Sequence, residues 1–121
     1  MKRLYAKTHE WVIVEEGKDF VVGISDYAQI ALGDIVFVNV PSLGDKVTQG
    51  ESFGDVESVK AVSDLISPVS GKVVAVNDAL LNAPELLNSD PLNTWIMKVS
   101  GSVNEAELLD EATYLAFDKD H

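Results

Sequence analysis

Short runs of alternating apolar and polar residues, each ended by a turn former, constrain the fold of this chain more than any other feature. In Val36-Phe37-Val38-Asn39-Val40 and in Val73-Val74-Ala75-Val76 one set of alternate positions is wholly apolar. Successive side chains on a strand point to opposite faces, so this pattern predicts one face buried against a second sheet. Strands are predicted over Trp11–Glu15, Phe20–Ile24, Ile35–Val40, Ser52–Val59, Ala61–Ile66, Lys72–Val76 and Trp95–Val99. Gly17, Gly33, Pro41, Gly44, Gly50, Pro68, Gly71 and Asn77-Asp78 punctuate them. Many short strands with such punctuation make a mostly β chain, a sandwich or a barrel.

Two helical interruptions are predicted. The first opens at Ser25 as N-cap, with Asp26 near the positive helix end, and closes at Gly33 after about two turns. The second occupies the C-terminus, where Leu108, Leu109, Leu115 and Phe117 form an apolar set, Asp110 caps a short segment, and the tail Asp118-Lys119-Asp120-His121 frays. Gly44-Asp45-Lys46-Val47 and Gly71-Lys72-Val73-Val74 each enter a strand, as a pseudo-twofold pair of hairpins would. At 121 residues and 13.1 kDa the expectation is one domain over residues 1–121. No apolar run approaches the ~20 residues that span a bilayer, and Met1-Lys2-Arg3-Leu4-Tyr5-Ala6-Lys7 has no apolar stretch after its charges, so a soluble, cytoplasmic protein is expected.

Nine Lys and Arg against 20 Asp and Glu leave a net charge of −11. Nucleic acid and anionic membrane are disfavoured as partners, monomeric behaviour is expected, and a binding partner should offer a basic face. The absence of cysteine excludes disulfides, thiolate metal sites and a thiol nucleophile. There is no phosphate-binding glycine loop, no dinucleotide fingerprint and no His-Glu-x-x-His helix. With His9 and the terminal His121 as the only histidines, a hydrolase triad has little to build on, and His9 is expected to hydrogen-bond locally ahead of a Trp-led strand.

Lys60 stands out by position. Ser58-Val59-Lys60-Ala61 suits a type I turn between two predicted strands, so the ammonium would project beyond the sheet where an enzyme could reach it. A lysine alone is usually a solvated charge; here Gly44 lies sixteen residues before it and Gly71 eleven after. Glu57-Ser58-Val59-Lys60-Ala61, backed by Ser67-Pro68-Val69-Ser70-Gly71, resembles the lipoylation site of the glycine cleavage system H protein family. Thr8-His9-Glu10-Trp11-Val12, Val22 to Gln29, Leu32 to Val38, Pro84 to Asn88, Asp90-Pro91, Trp95 and Lys98 extend the resemblance in order over residues 4 to 117. Biotinyl domains typically flank their lysine with methionine and acyltransferase lipoyl domains place Asp before it, whereas this chain has Val59 and Ala61. It departs from the family in Pro91-Leu92-Asn93-Thr94-Trp95, where a glycine-containing turn is usual and Asn93 is the residue able to adopt left-handed angles.

The resemblance implies a barrel-sandwich hybrid of the lipoyl/biotinyl hammerhead type, and a non-enzymatic carrier with lipoate in amide linkage to Lys60. Its partners would be the pyridoxal-phosphate glycine decarboxylase (P protein), which loads the aminomethyl group, the tetrahydrofolate-dependent aminomethyltransferase (T protein), the flavin enzyme dihydrolipoamide dehydrogenase (L protein), and a lipoate ligase or octanoyltransferase. The carried amine is a hydrolysis-prone cation, and Glu10 and Asp64 correspond to the positions that hold it in the family. An arm of about a dozen bonds, each advancing about 1.2 Å, reaches about 14 Å from the hairpin. Glu57, with Ser58, Val59, Ala61, Gly44 and Gly71, would present the hairpin to the lipoyl-attaching enzyme. The alternatives are a relay donating lipoate to other 2-oxoacid dehydrogenase complexes, and an interaction module that is never acylated.

Overall fold

The computed structural model describes residues 1–119, and the last two residues of the tail expected to fray, Asp120 and His121, lie outside them. In chain order the elements are β1 (Lys2–Tyr5), β2 (Glu10–Val14), β3 (Phe20–Ile24), α1 (Asp26–Leu32), β4 (Ile35–Asn39), β5 (Lys46–Val47), β6 (Ser52–Ser58), β7 (Val62–Ile66), β8 (Ser70–Val76), α2 (Ala79–Asn82), α3 (Leu86–Ser89), β9 (Met97–Ser102), a 3-10 turn at Glu105–Glu107, β10 (Leu109–Asp110) and α4 (Glu111–Lys119). Two antiparallel sheets result, one ordered β10-β1-β2-β3-β9-β8-β5 and one ordered β4-β6-β7.

The apolar alternation works as expected in β3, where Val22 and Ile24 are buried, but two strands break it. In β4 the register shifts between Ile35 and Phe37, so Ile35 is buried in place of Val36, which is left 54% exposed, while Val38 of the expected even-numbered set is buried. In β8 the register shifts between Val73 and Ala75; Val73 is buried and Val74 faces out. A bulge inserts one residue on one strand, and with a side-chain period of two that flips every position beyond it.

One core joins Val12, Val22, Val69, Val73, Met97 and Val99 within the large sheet. A second joins Ile24, Ile35, Val38, Val56, Leu65 and Ile96 to Leu80 and Leu87 of the single-turn helices α2 and α3. Phe53 packs against both and bridges them. Helix α1 is capped as its sequence demands: Ser25 Oγ accepts the Ala28 N–H at 3.2 Å, and the Gly33 N–H returns to Gln29 O at 3.0 Å. The C-terminal helix begins later than its apolar pattern suggested. Asp110 Oδ1 accepts the Thr113 N–H at 2.7 Å, which holds that carboxyl below its ordinary range, while Leu109 pairs with Tyr5 in a strand. Tyr114, not Leu115, turns inward; it stacks on Tyr5 at 4.3 Å, and Leu115 is half exposed.

Trp11 and Gly23 are cross-strand partners in β2 and β3. The indole is 1% exposed, donates from Nε1 to Pro91 O at 3.0 Å, and carries the Arg3 guanidinium 4.8 Å from its ring centre. A Cβ on Gly23 would lie 2.3 Å from the Trp11 ring, so glycine is the only residue that leaves the indole its place. Gly23→Ala is expected to lower stability by about 1–3 kcal/mol through overpacking. Urea unfolding would measure this, and a Trp11→Phe background, with its smaller ring, should shrink the penalty.

Candidate functional site

The β6–β7 hairpin runs in register from Gly54 opposite Leu65 to Glu57 opposite Val62, and turns at Ser58-Val59-Lys60-Ala61. The Ser58 N–H donates to Ala61 O at 2.8 Å. The Ser58 hydroxyl accepts the N–H groups of Lys60 at 3.2 Å and Ala61 at 3.1 Å and donates to Ala61 O at 3.2 Å. It thereby takes the place that a carbonyl holds in an ordinary type I turn, and neither central residue needs positive φ. Lys60 is exposed, and among the described residues the only salt bridge is Lys2 to Glu105, so its ammonium has no carboxylate partner. The tip is braced from one side: the Val59 N–H donates to Asp34 O at 3.0 Å, and the Lys60 stem lies over Gly33.

Glu10, first residue of β2, is buried at 3% exposure. Its Oε2 accepts the Ile66 N–H at 3.0 Å and its Oε1 accepts the Thr8 hydroxyl, so it joins the large sheet to the end of β7. Burial pushes its pKa up to about 7, against the lowering effect of those two donors. Asp64 lies two residues before Ile66 on the same strand; it is exposed, its carbonyl accepts the Ser63 hydroxyl at 3.5 Å, and its carboxylate accepts no hydrogen bond among the described residues. Asp55 sits directly opposite it, a like-charge pair. Glu57 is exposed between Phe37 and Val62, its cross-strand partners. Gly44 (φ 88°) and Gly71 (φ 152°) belong with the large sheet: the Gly44 N–H donates to Val73 O at 2.9 Å, and Gly71 pairs with Val47 and Gly101.

A groove of about 610 Å³ opens beside Glu10's neighbours, with Lys7, Thr8, Gln49, Ile66, Ser67 and Leu108 on its walls. The part played by Thr8 and the Ile66 amide in holding Glu10 was not legible from sequence, because a hydroxyl two residues upstream carries no distinguishing pattern. His9 differs from expectation. It is the one non-glycine residue with positive φ (78°) among those described, and its Nδ1 meets the Tyr114 hydroxyl, 105 residues away, at 2.6 Å. Ser25 Oγ meets the same hydroxyl at 2.8 Å, so the His9 ring helps dock α4, while its backbone N–H donates locally to Ala6 O at 2.9 Å. Asn93 also departs: its φ is negative, and the turn before Trp95 is held by Asp90, which accepts from the Asn93 amide group at 3.0 Å and, through its carbonyl, from the Thr94 hydroxyl at 2.7 Å. Among the described residues no three His, Cys, Asp or Glu side chains gather as a metal site, and no helix is long and apolar enough to cross a membrane.

Comparison with known proteins agrees with this geometry. The family model described as glycine cleavage H-protein matches residues 3–121. The glycine cleavage system H protein of Acidobacterium capsulatum is 54% identical over 118 residues, covering 96% of this chain and 91% of the relative. That of Listeria innocua is 55% identical over 106 residues, covering 87% and 83%. The crystal structure of a glycine cleavage system H protein from Mycobacterium marinum superposes with a TM-score of 0.90 at 40% identity, covering 98% of this chain and 97% of the other. With the family match spanning nearly all of it and the fold shared at high identity, this chain belongs to the glycine cleavage H-protein family.

Proposed function

We propose that this protein is the lipoyl carrier of the glycine cleavage system, with Lys60 as its point of acylation. The observation that carries this reading is an exposed, unpaired amine at a hairpin tip braced by Ser58, in a chain of this family. Such an amine meets the requirement for amide formation, since nothing has to be broken to reach it. Lipoate joined there would supply the thiol-forming sulfur that a chain without cysteine lacks, one of its two atoms able to bond the aminomethyl group of glycine. The chain itself is not an enzyme. Glycine decarboxylase, aminomethyltransferase and dihydrolipoamide dehydrogenase act on its load in the cytoplasm, after a lipoate ligase or octanoyltransferase has modified Lys60.

The role of this chain's carboxylates follows from charge. A protonated amine brought beside Glu10 would favour the ionised carboxylate and pull its raised pKa back down. Asp64, unpaired and facing Asp55, has its carboxylate ready for the same cation. Shielding that amine from water and holding it by charge is what the two residues contribute.

Three outcomes are expected. Intact-mass and peptide analysis of protein made with lipoate should show one lipoyl increment on Lys60, and Lys60→Arg should abolish both the increment and support of glycine decarboxylation. Glu10 in the unloaded protein titrates at about 7, above its ordinary 4.5, so the folded state binds the extra proton between those values. Its favourable contribution is complete below about pH 4.5 and is lost as pH rises through 7, a total of about 3 kcal/mol. Urea unfolding at pH 4.5 and 7.5 should therefore show a steeper loss for wild type than for Glu10→Gln; parallel losses would contradict the assignment. Asp64→Asn relieves the repulsion with Asp55 and should stabilise the unloaded protein by a few tenths of a kcal/mol, while shortening the lifetime of the carried aminomethyl group.

A further inference from the structure

We propose that Asn88 is a positioning residue for Lys60, acting through the corner between α1 and β4 on which the hairpin tip is seated. The proposal deepens the carrier reading and rests on it only for its functional consequence.

The Asn88 carboxamide makes three hydrogen bonds to that corner. Nδ2 donates to Gly33 O at 2.9 Å and to Gln29 Oε1 at 3.0 Å, and Oδ1 accepts the Ile35 N–H at 2.8 Å. Bonds to residues 33 and 35 bracket Asp34, whose carbonyl accepts the Val59 N–H at 3.0 Å. Gly33 has φ 77° and ψ −157°, a region open essentially to glycine alone. A Cβ there would stand 3.1 Å from Lys60 Cε, so the lysine stem lies on bare backbone. Asn88 has a firm footing, because its neighbour Leu87 is fully buried in the second core.

Two contacts at the tip, one to the Val59 amide and one to the Lys60 stem, thus depend on a corner that this carboxamide holds together with the Gly33 N–H bond to Gln29 O and the pairing of Ile35 with Ser58. Seating the tip gives the amine one starting direction, which lowers the ordering cost when a modifying enzyme binds the hairpin. No contact between Asn88 and Lys60 is required, and Asn88 has no part in any chemistry.

The test compares Asn88→Ala with Asn77→Ala in the unloaded protein. Asn77 is a control of the same kind: its carboxamide donates to Trp95 O at 2.8 Å and accepts the Ala79 N–H at 3.2 Å, without bonding the corner. Amide hydrogen exchange should speed up at Val59 by about tenfold in Asn88→Ala and stay near wild type in Asn77→Ala, matching the loss of one ordinary hydrogen bond. Equal acceleration in both variants would overturn the proposal, since Asn88 would then act only through global stability. Should Asn88→Ala not fold, Asn88→Asp keeps the acceptor for Ile35 and removes both donors; unchanged Val59 exchange there overturns the proposal too. With a lipoate ligase, Asn88→Ala should raise the KM for the protein about tenfold with kcat little changed, and Val59→Pro, whose ring suits that turn position but lacks the N–H, should do likewise. An unchanged KM in a variant with a freed Val59 amide overturns the functional part. A wild-type chain that is never acylated overturns the carrier reading instead, and the exchange comparison still decides the role of Asn88.

Discussion

The hydrogen bond from the Ile66 N–H to Glu10 Oε2 joins the seven-stranded sheet to the three-stranded one through a group that solvation would rather keep in water. Two donors, Thr8 and Ile66, only partly replace the lost hydration, and the carboxyl is left with a pKa of about 7. An apolar pair would seal the same seam at lower cost, as buried ionisable groups are often replaced without loss. What an apolar pair cannot do is answer a cation arriving at the end of β7. The seam is therefore less stable than it could be, and under the proposed function it is where a carried amine would meet a carboxylate.

The hairpin tip follows the opposite logic. Lys60 is left without a carboxylate, although 20 acidic residues are present in the chain. Under the proposed function, any carboxylate close enough to pair with it would compete with acylation and would be stranded by the loss of charge. The acids of the hairpin stand further down its strands, at Asp55, Glu57 and Asp64, where the direct opposition of Asp55 and Asp64 is a repulsion the hairpin tolerates in the unloaded state. Ser58 compensates at the turn, closing it through a neutral hydroxyl that no ionisation can disturb.

How much of this could be read from sequence depended on whether the information was local. The α1 helix, with Ser25 and Gly33 at its ends, and the exposed hairpin at Lys60 are written in contiguous residues and appear as expected. Strand β1 was missed because Lys2-Arg3 hides its pattern, and β10 because two residues have no period, while β5 was legible only as the strand that Gly44-Asp45-Lys46-Val47 enters; all three exist through pairing with distant strands. The single-turn helices α2 and α3 have too few residues to show helical spacing, though each drives a leucine into the core. The bulge in β4 turned Val36 outward while Val38 and Val40 stayed on the buried side, and the one in β8 put Val73 and Val76 on the core together; neither was legible, since an inserted residue leaves no mark in composition. At the site, Glu10 and Asp64 were legible only through family resemblance, and the depth of Glu10's burial was not legible at all. The local bond expected of His9 is present through its N–H to Ala6 O, whereas the bond of its ring to Tyr114 was not legible because that residue lies on the last helix.

If Lys60 roots the proposed lipoyl tether, seating it matters because β7 is long compared with what would travel along it. From Lys60 to the Ile66 amide that holds Glu10 is six residues, about 20 Å of extended chain, whereas Asp64 is about 13 Å away. Under the carrier reading, a reach of about 14 Å from the Lys60 Cα meets Asp64 comfortably but is shorter than the extended path to the Ile66 amide, so Glu10 stands at the limit of the tether or beyond it. The two carboxylates are thus unequal: the exposed one lies within easy range, and the buried one rewards only a tether lying straight along the strand. A tip free to pivot would spend most of its time pointing elsewhere, and the effective concentration of the amine at Glu10 would fall with the volume swept. The Asp34 carbonyl and the bare backbone of Gly33 narrow that volume at its origin, where a small angular restriction has the largest effect at the far end.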